Sequence, residues 1–236
     1  EGIKLIQDLS SCGVQKINFV GGEPMLHRHL DAWIIAAKSC GLTTSIVSNG
    51  TKMTEEWLTK MRPYLDWLGL SIDASNDEMH FLMGRGLKGE IKSGFSRHLE
   101  RSKRVWRIAQ RLGYGLKLNT VVTSVNAHDD MSELVKTLRP HRWKIFRVLR
   151  ILGENDGRVE PLLIDEEQFN QYMSRHKSLL HGLEGCQIVA EDNEDMLGTY
   201  AMIDPQGKVY TNLRGRYRYS KQSAVDIGFS AAWVQV

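Results

Sequence analysis

Lys16-Ile17-Asn18-Phe19-Val20-Gly21-Gly22-Glu23-Pro24 reads as a strand that breaks into a glycine turn. Lys16 to Val20 has the length and apolar content of a short buried strand, and two glycines then let the backbone bend sharply and approach a ligand without Cβ interference. Glu23 offers a carboxylate that could hold an ammonium group, and Pro24 stiffens the exit while biasing Glu23 towards an extended conformation. That combination suits an amino-acid-like ligand. An ordinary strand-to-turn junction accounts for the tetrapeptide about as well, so its weight depends on what surrounds it.

Upstream, Ile3, Leu5, Ile6 and Leu9 have helical spacing and Gly13 is placed to end that helix. Downstream, Leu30, Trp33, Ile34 and Ala37 mark a second helix stopping at Gly41; Thr43 to Ser48 is a strand closed by Asn49-Gly50. Thr54, followed by Glu55 and Glu56, is an N-cap with acidic first-turn residues. Leu68 to Ile72 predicts a strand, Ser75-Asn76-Asp77 the cap of a short helix, and Gly84-Arg85-Gly86 a basic loop. A basic helix is expected from Phe95 to Leu112, a strand from Gly115 to Thr123, a helix from Met131 to Leu138 and a strand from Trp143 to Leu152. This alternation predicts a parallel α/β sheet with helical crossovers, doubly wound or barrel-like. The last third differs: after a helix over Asp165 to Leu180, Tyr200–Asp204 and Lys208–Asn212 flank Pro205-Gln206-Gly207 like a hairpin. We therefore expect one domain over residues 1–236, with residues 187–236 forming a β-containing extension packed on it.

Composition bounds the rest. The 236 residues can bury one sizeable core. A net charge of +3, from 31 basic and 28 acidic side chains, is too balanced for a nucleic-acid coat. No apolar run is long enough to cross a bilayer and the start lacks a signal peptide's pattern, so a cytoplasmic protein without a membrane or nucleic-acid partner is expected. Cys12, Cys40 and Cys186 are too scattered for a disulfide framework or a C-x-x-C site and read as reduced. Metal-site, Walker A and G-x-S-x-G signatures are absent from the sequence.

In parallel α/β sheets ligands sit beyond the carboxyl ends of the strands. Those ends carry Gly21 to Pro24, Ser48-Asn49-Gly50, Ser71 with Asp73, and Arg85 in the next loop, with Asn119, Arg147 and Arg150 on later strands. Each has a bland alternative: a turn at Asn49-Gly50, a cap at Asp73, backbone satisfaction by Asn119. Basic residues also fall on strand-like segments: Lys16, Lys117, Arg142, Lys144, Arg147 and Arg150. Lys117 alternates with Leu116 and Leu118, so it faces the other way and needs an anionic partner if enclosed. A triphosphate would provide one, with Arg214, Arg216 and Arg218 joining the clamp. Arg97, Arg101, Arg104, Arg107 and Arg111 read instead as a solvated helix face.

Lys16-Ile17-Asn18-Phe19 leading into Gly21-Gly22-Glu23-Pro24, then Ser45 to Gly50, Gly84-Arg85-Gly86, Lys117-Leu118-Asn119, and Arg142 to Phe146 with Gly153-Glu154-Asn155, resemble the viperin family of radical S-adenosylmethionine (radical SAM) enzymes in its bacterial or archaeal form. The likeness covers nearly the whole chain. It implies a partial (β/α)6 barrel holding S-adenosylmethionine and a 4Fe-4S cluster, the latter on a C-x-x-x-C-x-x-C loop upstream of residue 1, so no metal ligand is expected here. By the same resemblance, Gly21, Gly22, Glu23 and Pro24 hold the methionine amino group, and Asn49, Ser71 and Arg85 contact the rest of that cofactor. Lys16, Lys117, Lys144 and Arg218 bind a nucleoside triphosphate (CTP, UTP or GTP), with Asn18, Asn119 and Arg216 placed beside them. The family's reaction removes the 4' hydrogen of the ribose, expels the 3' hydroxyl as water and adds one electron and one proton. Its product is a 3'-deoxy-3',4'-didehydro nucleotide, a chain terminator used in antiviral defence. Tyr200 matches the family's final hydrogen donor, an external electron donor is implied, and a monomer is expected. The alternatives are a cluster-free nucleotide-binding or adaptor protein and a radical enzyme acting on another anionic substrate.

Overall fold

The computed structural model describes residues 1–236, apart from the side chain of Arg214, so the part expected of Arg214 in an anion clamp lies outside the described residues. Six strands form one wholly parallel sheet in sequence order: β1 Lys16–Phe19, β2 Thr43–Ser48, β3 Trp67–Ser71, β4 Gly115–Val122, β5 Arg142–Arg147 and β6 Gln187–Glu191. Each consecutive pair is parallel. β1 and β6 do not pair, so the sheet is an open, partial barrel. Helices cross between the strands, including Leu30–Ser39, Glu55–Met61, His98–Arg111 and Ser132–Leu138.

Strand alternation sorts the side chains onto two faces. Leu116, Leu118 and Val122 of β4 and Trp143 and Ile145 of β5 enter the main core, with Trp106, Leu134 and Tyr172. Its buried aromatics have satisfied polar ends: Trp143 Nε1 donates to Thr120 Oγ1 at 2.9 Å, Trp106 Nε1 to the Leu138 carbonyl and Tyr114 to the Leu58 carbonyl. Lys16, Asn18, Lys117, Asn119, Arg142 and Lys144 occupy the alternate positions and face the concave side.

A second sheet, β7 Met202–Ile203, β8 Val209–Thr211 and β9 Arg218–Tyr219, is antiparallel. β7 and β8 are joined by a turn in which Asp204 Oδ1 accepts from the amides of Gln206 and Lys208. Short helices after β9 fasten to the chain's first helix, Gly2–Ser11, through Leu5 packing near Val209 and Ala232, and through the Phe229 amide on Asp8. β6 joins the large sheet through its register with β5, although the division at residue 187 groups it with the extension. The antiparallel sheet begins at Met202.

Two expected elements are shorter than their apolar runs. β5 ends at Arg147 rather than Leu152, because the Asn155 side chain ties the Leu149 carbonyl and the Ile151 amide into a loop. The basic helix starts at His98 rather than Phe95. On that helix Arg101 is not solvated as expected: it makes a two-point ion pair with Glu90, whose carboxylate also accepts from the Leu87 amide. Among the described residues no helix is long and apolar enough to cross a membrane.

Candidate active site

The strand ends build one rim of the concave face. After β1 the chain turns through Gly21 at φ +125°, a conformation open to glycine, and a Cβ at Gly21 or Gly22 would meet nothing within 4 Å. The turn thus offers bare backbone to whatever occupies the space. Glu23, expected to help hold an ammonium group, already has three donors in the structure. One of its oxygens accepts from the Met25 amide at 3.1 Å and Ser48 Oγ at 2.7 Å, the other from the Asn49 amide at 2.9 Å. These bonds lock the end of β2 to the turn after β1.

Asp73 follows β3, fully buried. It caps no helix; Asn76 caps Asp77–Leu82 instead, accepting from the Met79 amide. The Asp73 carboxylate accepts from the Val121 amide at 2.9 Å and ion-pairs with Arg85, reaching in from the following loop. Beside it His98 Nε2 lies 2.8 Å from the Ser71 carbonyl and His80 Nε2 accepts from the amides of Asp73 and Ala74. The two imidazoles meet edge to face at 4.8 Å. Burial, then the neighbouring His98, pushes His80 down to about 4, so it is a neutral acceptor at neutral pH. Asn49, Thr51, Arg85, Gly86 and His98 line a cavity of about 200 Å³. The structure therefore gathers Asn49 and Arg85 next to Ser71, and adds the Asp73–Arg85 and His80–His98 pairs. Lone histidines on helices give no sequence signal for such a tertiary pairing.

Lys16 and Lys117 lie lower on the same face than the strand ends, and Lys144 lies one inward position above the level of Lys117. Lys16, Trp67 and Arg142 each begin a strand, and Lys117 is level with Arg142. At about 3.3 Å per residue, Lys16 and Val20 are separated by about 13 Å along the strand. Lys117 is 6% exposed, with Nζ 3.1 Å from Ser45 Oγ and 4.9 Å from the Trp67 ring centroid. Gly115 makes room for that ring, since a Cβ there would lie 2.7 Å from its atoms. Burial pulls Lys117 down to about 7, and Lys16, Arg142 and Lys144 add repulsion of like charge. Asn119, level with Ser71 and Lys144, has a buried Oδ1 without a hydrogen-bond partner. Lys144 is ion-paired with Glu191 and donates to Tyr200 at 3.0 Å.

Not every basic residue expected here arrives. Arg147 points to the opposite face, where Nε donates to the Ile164 carbonyl, and Arg150 pairs with Asp156 on an exposed loop. Arg216 and Arg218 are exposed at and beside β9, with Arg216 facing Asp156; the charges acting on Lys117 are those of Lys16, Arg142 and Lys144. Glu191 was missed from sequence, although Ile188-Val189-Ala190 between polar residues was a legible short strand.

Residues 1–138 match the Radical SAM superfamily, the class to which the open six-stranded sheet and its glycine turn point. A curated relative from Flammeovirga pacifica, named an S-adenosylmethionine-dependent nucleotide dehydratase, is 36% identical over 99% of this chain and 77% of its own length. Relatives of the same name from a Thermoplasmatales archaeon (strain ISO4-H5) and from Lacinutrix mariniflava are 38% and 34% identical, over 85% and 98% of this chain. The chain spans 67% of the first of these two and 46% of the second. The solved structure described as native anSMEcpe with bound AdoMet superposes with a TM-score of 0.69 at 15% identity, covering 89% of this chain and 64% of that one; this likeness concerns the fold alone. The chain belongs to the Radical SAM superfamily and, within it, to the family of S-adenosylmethionine-dependent nucleotide dehydratases.

S-Adenosylmethionine and a 4Fe-4S cluster are the cofactors of that superfamily. The rim fits the first: bare backbone at Gly21 and Gly22, and a cavity lined by Asn49 and Arg85. The three cysteines do not fit the second. Cys12 ends the first helix near Ser230, Cys40 ends the second, and Cys186 precedes β6. Among the described residues no three His, Cys, Asp or Glu side chains group to hold a metal ion.

Proposed function

We propose that this chain is the core of a radical SAM dehydratase that converts a nucleoside triphosphate (CTP, UTP or GTP) to its 3'-deoxy-3',4'-didehydro analogue, a chain terminator serving antiviral defence. The observation carrying this reading is the buried ammonium of Lys117 amid Lys16, Arg142 and Lys144, with no carboxylate in ion-pair contact with it among the described residues. Concentrated positive charge with so little counter-charge calls for a multiply charged anion.

The substrate lies lengthwise. Its phosphates rest low on Lys16 and Lys117 under Lys144, and its ribose lies higher, level with Lys144, where the unpartnered Asn119 Oδ1 accepts a hydroxyl proton. Asn18, on the same face of β1, flanks the ribose, and substrate binding draws Arg216 and Arg218 towards the phosphates from the exposed positions they hold on the appendage. The backbone of Gly21 and Gly22 receives the methionine amino group. Ser71 and Asn49 orient the nucleoside part, and Arg85 donates with the N–H groups that Asp73 leaves free. S-Adenosylmethionine, when bound, supplies the radical that removes the ribose hydrogen. Tyr200 is the final donor, resupplied by an external electron donor. The chain acts as one domain, a cytoplasmic monomer.

The test is calorimetry with each nucleoside triphosphate, monophosphate and nucleoside, followed by mass analysis of the reconstituted full-length protein. Affinity should rise with phosphate count, and a nucleotide lighter by one water should form. Binding of the nucleoside as tight as that of the triphosphate would overturn the reading. A cluster-free nucleotide-binding protein, which the scattered cysteines would favour, predicts binding without iron in the natural full-length protein.

A further inference from the structure

Lys144, Glu191 and Tyr200 close a ring of three polar groups on the concave face. Glu191 ends β6 level with Phe146 of β5. One of its carboxylate oxygens is ion-paired with Lys144 Nζ, and the other accepts the Tyr200 hydroxyl proton at 2.7 Å. Lys144 Nζ donates to the same hydroxyl at 3.0 Å. The phenol thus has one acceptor, one donor and a fixed O–H direction. A phosphate clamp alone gains nothing from a carboxylate that repels phosphate and neutralises one of its lysines. The charge on Glu191 needs another purpose.

We propose that Glu191 is a positioning residue for Tyr200: its carboxylate aims the phenolic O–H and takes the proton when Tyr200 gives up an electron. The inference rests on the reading of Tyr200 as final donor. A phenol that loses an electron becomes a very strong acid, so its proton must leave with the electron. In the step, the 3' hydroxyl has left as water after taking one proton from solvent, which makes the substrate-derived species a radical cation, and one electron from Tyr200 converts it to the closed-shell didehydro nucleotide. The phenolic O–H bond breaks, and a new O–H bond forms on Glu191, leaving a neutral tyrosyl radical and a neutral carboxylic acid. One electron from an external one-electron donor protein, with the proton returned by Glu191, restores the starting state. Before the step Lys144 is protonated: burial opposes its charge, but Glu191 and Tyr200 outweigh burial and raise it. The charged groups acting on the phenol are Lys144 from β5 and Glu191 from β6; burial raises the phenol, Lys144 lowers it and Glu191 raises it again.

The experiment uses the full-length protein with its cluster, labelled with fluorotyrosine, as wild type, Glu191→Gln and Tyr200→Phe. Tyr200→Phe assigns the fluorine resonance of Tyr200. In Glu191→Gln that resonance should titrate at lower pH, with the phenol at least about tenfold more acidic, because Lys144 is left without its counter-charge. Dehydrated nucleotide formed per 5'-deoxyadenosine should fall about 10²-fold, the usual scale of a lost proton acceptor, while triphosphate affinity holds or increases. Unchanged titration and unchanged product yield in Glu191→Gln would overturn the inference and leave the dehydratase reading standing. A wild type that makes no dehydrated nucleotide defeats that reading instead, and the fluorine titration then decides whether Glu191 governs Tyr200. Should Glu191→Gln not fold, Glu191→Asp, one methylene shorter, is expected to shift the titration part of the way, and no shift would overturn the inference.

Discussion

Lys117 holds its ammonium over the indole of Trp67, 4.9 Å from the ring centroid, on the inner face of a sheet whose outer face is packed apolar. The ring's negative face and Ser45 Oγ are its neutral support, and its charged neighbours are all cations. Lys117→Met should therefore weaken triphosphate binding at least about tenfold, the scale of one desolvated charge-assisted bond, without loss of stability at neutral pH. Calorimetry and denaturant unfolding of the same sample separate the two effects.

The same group sets a pH dependence. An unfolded chain keeps lysine protonated to about pH 10, whereas folding pulls Lys117 down to about 7. Between those values the unfolded state binds the extra proton, so this residue makes stability rise with pH across that window, while below it the cost of the buried charge is fully present and constant. Triphosphate binding restores the ordinary lysine range and should take up a proton near pH 7 to 8. Heats of binding in buffers of different ionisation enthalpy report that uptake, and Lys117→Met should abolish it.

Acid should act through His80. It is fully buried, accepts two backbone N–H bonds and is pushed down to about 4, so below the ordinary histidine range only the unfolded chain takes the proton. Stability should fall as pH drops from about 6.5 towards about 4, by at most about 3 kcal/mol. Urea midpoints across that range, compared with those of His80→Gln, provide the measurement.

Arg85→Ala should strand the Asp73 carboxylate, which is buried and keeps only the Val121 amide. Because Arg85 itself is partly exposed, we expect about 2 kcal/mol of destabilisation rather than the full cost of breaking a buried pair. S-Adenosylmethionine affinity should fall with it. Asp73→Asn/Arg85→Ala should recover part of the stability but not the affinity.

Glu23→Ala should free the amides of Met25 and Asn49 and the hydroxyl of Ser48 together. Hydrogen exchange at Asn49 and Met25 is expected to accelerate, while the strand pairing of β1 with β2 stays protected. Affinity for S-adenosylmethionine should drop.

The sheet was legible because its code is local. The break from strand to glycine turn at Gly21, the cap at Thr54 and the alternation of Leu116, Lys117 and Leu118 each follow from neighbours within a few residues. Arg147 lies within β5, where alternation from Lys144 puts it on the other face; Arg150 was misplaced because Val148 to Leu152 continues β5 as an apolar run, and only the side chain of Asn155 diverts it. The use of Glu23, the burial of Asp73 and the meeting of His80 with His98 depend on partners from other elements. Sequence supplied the residue types at the site; the pairings that spend or spare their charges came from tertiary structure.

The strands stop short of closing, with β1 and β6 left unjoined. A sheet that does not close on itself sets no fixed bore for its contents. Discrimination in such a vessel falls to the charges along its lining, and exchanging a few inward side chains on β1, β4 and β5 could redirect the chemistry without rebuilding the frame.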